Sequence, residues 1–120
     1  MADWKPIGPE NMLSDGEMKE VQVGGAAVLL ARVGGTYYAA QGLCPHMKAH
    51  LARGKLSQFE VTCPAHGSRF DVRDGSNTAW VAELPGIAQK ASRIFAKPKG
   101  LQTYPTRIHD GQVWIGISAD

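Results

Sequence analysis

Two cysteines and two histidines stand in a pair of short, matched modules, Cys44-Pro45-His46 and Cys63-Pro64-Ala65-His66. Each module offers one thiol and one imidazole, so two loops could bring four soft or borderline ligands onto one inorganic centre. The proline after each cysteine has no N–H and a fixed φ, which stiffens a ligand loop. Gly42, shortly before the first module, and Gly67, directly after the second, let the backbone pass close to a bulky group or take a positive φ. A disulfide between Cys44 and Cys63 is the plain alternative. It has no use for the two histidines, and a reducing cytosol favours ligation.

The pattern also bears on which metal. Zinc fingers usually pair their cysteines in one module and their histidines in the other. Here each module is mixed, and the first has only one residue between Cys44 and His46. Mixed modules suit a two-iron centre, with two thiolates on one iron and two imidazoles on the other. Zinc in a tetrahedral Cys₂His₂ site, giving a binding module without redox activity, stays as the rival from another class.

Around these modules the chain reads as short β-rich runs separated by glycine turns. Trp4–Ile7 is expected as a first edge strand, with Pro6 keeping it from a sheet centre. Met18–Val23, Ala26–Val33 and Thr36–Ala40 follow, joined by Gly24-Gly25 and Gly34-Gly35. Phe59–Cys63 and Phe70–Arg73 are expected around the second module, the latter stopped by Asp74-Gly75. Thr103–His109 and Gln112–Ile117 form a hairpin about Asp110-Gly111. One segment differs: Ile87, Ala88, Ala91, Ile94 and Phe95 fall at helical spacing, which predicts a short amphipathic helix around 86–96, ended by Pro98 and Gly100. Residues 1–120 are expected to be a single all-β domain with that one helix.

The two modules, extended to Cys63-Pro64-Ala65-His66-Gly67-Ser68-Arg69-Phe70-Asp71, resemble the Rieske [2Fe–2S] signature: Cys-x-His, about sixteen residues, then Cys-x-x-His. Thr36–Ala40, Phe70–Gly75 and Tyr104–Ile117 extend the likeness to Rieske ferredoxins. The resemblance implies antiparallel β-sheets of the Rieske (ISP-like) fold, with a small cluster-binding subdomain at about 42–75 on a base domain made of the remainder. It implies one [2Fe–2S] cluster, Cys44 and Cys63 on the inner iron, and His46 and His66 on the outer iron at the tip. Ser68 aligns with a serine that donates to a bridging sulfur in high-potential relatives. Phe70 replaces a tyrosine that donates to a cysteine sulfur there, and Ala49 and Ala65 stand where those relatives carry a disulfide. One donor of two and no disulfide argue for a low or intermediate potential. Pro85 is the candidate for the proline that covers the cluster. The chain departs from small Rieske ferredoxins in its longer Ser76–Gly100 segment.

Composition adds bounds. A net charge of +2 is too small to argue for nucleic acid or an anionic membrane. The longest apolar run, Ala26–Ala31, is far below the roughly 18–20 residues of a bilayer span. No export signal is visible at the N-terminus, so a cytoplasmic location is expected. The function that fits is a soluble one-electron carrier between a reductase and an oxygenase or other oxidoreductase, with no catalytic residues and with docking at the His46/His66 tip. A small Rieske subunit of a larger enzyme such as nitrite reductase is the alternative; the head of a membrane quinol-oxidising complex is not expected, since no anchor run is visible and Ala49 and Ala65 stand at the disulfide positions. Met47, Leu51 and Pro64 are expected to shield the cluster or rim the docking face. His50 matches no ligand position, and His109 is expected in a turn. Lys90, Arg93, Lys97, Lys99 and Arg107 are expected on a solvated face or to steer an acidic partner.

Overall fold

The computed structural model describes residues 2–45, 48–65, 67–79 and 100–118. Among these, three antiparallel sheets account for nearly all regular structure. β1 (Ala2–Pro9), β11 (Gln112–Ser118) and β10 (Thr106–His109) form the first, in that order. β2 (Met18–Val23), β3 (Ala26–Val33), β4 (Thr36–Gln41) and β9 (Thr103–Tyr104) form the second. β5 (Lys55–Ser57), β6 (Glu60–Thr62), β7 (Arg69–Asp71) and β8 (Asn77–Ala79) form the third. A 3₁₀ turn, Leu51–Arg53, precedes β5. The all-β expectation holds. The expected helix around 86–96 lies outside the described residues, as does Pro85. No helix among the described residues is long and apolar enough to cross a membrane.

The hairpins form where the glycine pairs stand. Gly24 and Gly25, Gly34 and Gly35, and Asp110 and Gly111 all have positive φ at both central positions, the geometry whose twist matches the flanking strands. β1 is an edge strand, as Pro6 requires, but it runs longer than expected and its register shifts between Pro6 and Gly8.

The second sheet is buried on both faces. Leu29 and Ala40 pack against Cys44, Leu51, Val61, Cys63, Phe70 and Val72. Their neighbours Val28, Leu30, Tyr37 and Ala39 pack the other way, with Val113 and Ile115 of the first sheet. This explains why Ala26–Ala31 is an unbroken apolar run rather than an alternating one. Each fully buried Leu or Val there contributes roughly 1.5–3 kcal/mol. The third sheet, which carries the second Cys/His module, is thus packed against the second by one shared core.

Three expectations need correction. Thr103–His109 is not one strand. Pro105 divides it, and the chain passes from the second sheet (β9 on β4) to the first (β10 on β11). Proline cannot donate to either ladder, and its carbonyl accepts from Gly116 N–H at 2.9 Å at the crossing. Phe70–Arg73 ends earlier, at Asp71, because the Asp71 carboxylate turns back on Arg73 N–H (2.8 Å) and starts the turn. Phe59–Cys63 shortens to Glu60–Thr62. β5 and β8, three residues each, are additions that no periodicity could announce.

The far end of the third sheet is tied to β4 through aromatics. Arg73 holds Asp71 through two N–H groups (Nε 3.0 Å, Nη2 2.7 Å), lies 4.0 Å over the Phe59 ring, and Phe59 meets Tyr38 edge-on. The Arg73 side chain, through these hydrogen bonds, keeps the Asp71 carboxyl below its ordinary value of 3.8. A depressed carboxylate stabilises the fold above its unfolded pKa and loses that contribution as pH falls through the folded value. The melting temperature is therefore expected to drop as pH is lowered from about 5 to 3, and Asp71→Asn is expected to flatten that limb. An equally steep limb in the variant would remove Asp71 from the account.

Candidate metal centre

Cys44 and Cys63 are not joined to each other by a disulfide; they are 1% and 2% exposed, and they belong to the same packed cluster. Cys44 leaves β4 after a short stem. Gln41 at the end of β4 sends Nε2 to the Leu43 carbonyl (2.8 Å), while its Oε1 accepts from Gln102 N–H (2.8 Å). Cys63 directly follows β6.

The two loops share one backbone design. Cys44 N–H donates to the carbonyl of Ala49, five residues on, and Lys48 N–H, four residues on, returns to the Cys44 carbonyl (2.9 and 2.7 Å). In the second loop Cys63 N–H donates to Ser68 O and Gly67 N–H returns to Cys63 O (2.7 and 3.2 Å). The residue that closes each loop has a left-handed φ: +55° at Lys48 and +77° at Gly67. Glycine adopts this freely, whereas lysine is strained there by about 1–2 kcal/mol. The positive φ expected of Gly67 is present. Gly42 serves differently from expected: its close approach is to the β3 backbone, where its N–H donates to Ala27 O (2.9 Å) and an added Cβ would press on Ala27 at 3.0 Å.

His46, Met47 and His66 lie outside the described residues. Among the described residues no group of three His, Cys, Asp or Glu side chains gathers as a metal site. The remaining histidines are placed elsewhere. His50 Nδ1 sits 2.6 Å from Glu20 Oε1, binding the foot of the first loop to β2. His109 ends β10 in the first sheet and faces Trp114 edge-on. Leu51 is fully buried and Pro64 is exposed, so of the expected shielding residues the first packs and the second stands at the rim. Ser68 is 1% exposed and Phe70 0%, the latter in the cluster that holds both thiols.

Sequence reasoning missed Gln41 and the His50–Glu20 pair. Glu20 and His50 are thirty residues apart, and nothing in the order of residues signals that they meet.

A family model described as the Rieske [2Fe–2S] domain matches residues 3–105. The chain belongs to the Rieske family. One [2Fe–2S] cluster is the cofactor of this family and of this chain. The donor set fits it: two soft, buried thiols at equivalent positions of paired loops. The Rieske chain is 32% identical over 104 residues to the ferredoxin component of the naphthalene 1,2-dioxygenase system of Pseudomonas putida, covering 87% of this chain and 86% of that protein. It is 37% identical over 75 residues to apoptosis-inducing factor 3 of Homo sapiens, covering 62% of this chain but only 12% of that relative's length. Among solved structures, the ferredoxin of Sphingomonas yanoikuyae B1 superposes with a TM-score of 0.76 at 26% identity, covering 97% and 100% of the two chains.

Proposed function

We propose that this chain is a soluble one-electron carrier, with Cys44 and Cys63 holding one iron of its cluster and His46 and His66 the other. The two buried thiols, at equivalent positions of two loops with one hydrogen-bond pattern, carry this reading. Elimination supports the imidazoles. The chain has four histidines, and His50 and His109 are engaged elsewhere. When bound, the cluster takes up and gives back one electron at a potential above that of a four-cysteine cluster. The protein residues do the rest. Cys44 and Cys63 sit in a dry, packed layer, while Pro64 and Ala65 beside the second module are exposed.

The same reading includes a cluster-binding subdomain at about 42–75, docking of partners at the His46/His66 tip, and a cytoplasmic location that keeps both thiols reduced. Its partners are a reductase on one side and a terminal oxygenase or other oxidoreductase on the other. The near full-length likeness to a dioxygenase-system ferredoxin favours a free carrier over an enzyme subunit. Electron paramagnetic resonance of the dithionite-reduced protein, with two irons and two sulfides per chain, is the expected result. A colourless protein holding one zinc would overturn it.

Ser68 is proposed to donate its hydroxyl towards the cluster, and Pro85 to cover it. Phe70 lies in the packed cluster that holds both thiols, and its ring has no donor. Phe70→Tyr is therefore expected to raise the potential by adding one, since each hydrogen bond to a sulfur favours the reduced form. A redox titration showing no rise in a fully loaded variant would place the ring edge away from the sulfurs.

A further inference from the structure

The geometry points to a cationic docking strip on the outer face of the third sheet, at its cluster end, built to receive a redox partner with a carboxylate-rich face; this rests on the reading of the centre above. Between Val21 and Phe70 the only acid is Glu60. Lysines and arginines are not missing from that stretch, and four of them gather about the two loops. Lys55, Thr62 and Arg69 are direct partners across β5, β6 and β7, so their side chains share one face in a single row. Thr62 is the residue before Cys63. Arg53, Gly54, Lys55, Thr62, Cys63 and Pro64 line one open groove, which brings two cations to the mouth of the cysteine loop. Lys48 adds a third from the other loop. Lys48, Arg53, Lys55 and Arg69 are all exposed, and none takes part in an ion pair among the described residues.

The opposite end of the same face is acidic. The next outward row, two residues along each strand, is Ser57, Glu60 and Asp71. Its acids are engaged locally: Glu60 accepts from Thr78 Oγ1 (2.7 Å) and Asp71 is held by Arg73. The row between them, Leu56, Val61 and Phe70, points inward. The outward face is therefore graded, positive beside the cysteine loop and, with Arg73 offsetting Asp71, weakly negative away from it. Such a gradient attracts an acidic surface and also turns it towards the cluster end, which raises encounter rates at low salt. Cationic partners are repelled at the cluster end.

The test uses the cluster-loaded protein and a plant-type [2Fe–2S] ferredoxin as a strongly acidic protein probe. The reduced probe passes one electron to the oxidised Rieske cluster; the probe is oxidised, the cluster reduced, and no bond is made or broken. Two readouts are taken, the probe's Kd by thermophoresis and the bimolecular rate by stopped flow. For the parent protein both are expected to weaken steeply between about 20 and 200 mM salt. Lys55→Glu combined with Arg69→Glu is expected to weaken Kd and slow the reaction at least about tenfold at low salt, within the range of electrostatic steering. An equal charge change in the first sheet, Lys5→Glu with Arg107→Glu, is expected to alter both less than about twofold, because its charges lie outside the strip. The Rieske paramagnetic signal confirms that each variant is loaded. Both pairs of substitutions acting alike, or neither acting, would overturn the strip while leaving the centre intact. A parent chain without that signal would overturn the reading of the centre and the strip with it.

Discussion

Replacing His66 with cysteine is expected to lower the reduction potential by roughly 125–350 mV, and His46→Cys should do the same. That is about half the gap between four-cysteine clusters near −400 mV and Rieske clusters at roughly −150 to +300 mV. The cause is charge. A neutral imidazole leaves its iron less negative than a thiolate does, so the electron enters more readily. Either substitution adds one negative charge where the electron must go. The measurement is a redox titration followed by paramagnetic resonance, with iron and sulfide counts to show that the centre has formed. A loaded variant with the parent's potential would mean that the replaced histidine is not a ligand. The substitution itself is small and, at the proposed exposed tip, does not have to be fitted into the core that holds Cys44 and Cys63.

Gly54→Ala is expected to destabilise the fold by about 3 kcal/mol or more, at the upper end of what forced contacts cost. Gly54 lies between the 3₁₀ turn and β5, with its N–H on Leu51 O. A Cβ there would overlap the carbonyl oxygen of Thr62 and come within 3.2 Å of Pro64 Cδ. Both obstacles are backbone or ring, so neither can swing away. β5 would have to lift from β6 at the residues that flank Cys63, and the lesion would reach the centre as well as the fold. Thermal unfolding should show a midpoint lower by several degrees, and iron retention should fall with it. A variant as stable as its parent, with full iron content, would mean that β5 and β6 are not packed as closely there as described.

The four candidate ligands and the all-β class could be read from residue types and spacing, and the two-iron centre from the family resemblance that their pattern carries. Cys44, His46, Cys63 and His66 announce themselves because thiols and imidazoles are rare and chemically specific. The hairpins do so because glycine pairs are what a two-residue turn with positive φ demands. Where the geometry is local, the order of residues suffices. The tertiary structure decided what depends on residues far apart in the chain. It buried β3 on both faces, split the last long strand at Pro105 between two sheets, and closed the first cysteine loop on Lys48 where the second uses glycine. It joined His50 to Glu20 and gave Gln41 its place at the stem of the first loop. It also set Lys55 beside Thr62 and Arg69 in one row, next to an acidic row further along the same face. Strand register makes such rows, because a shift of one residue would send each side chain to the opposite face, and register is settled by packing between strands rather than within them.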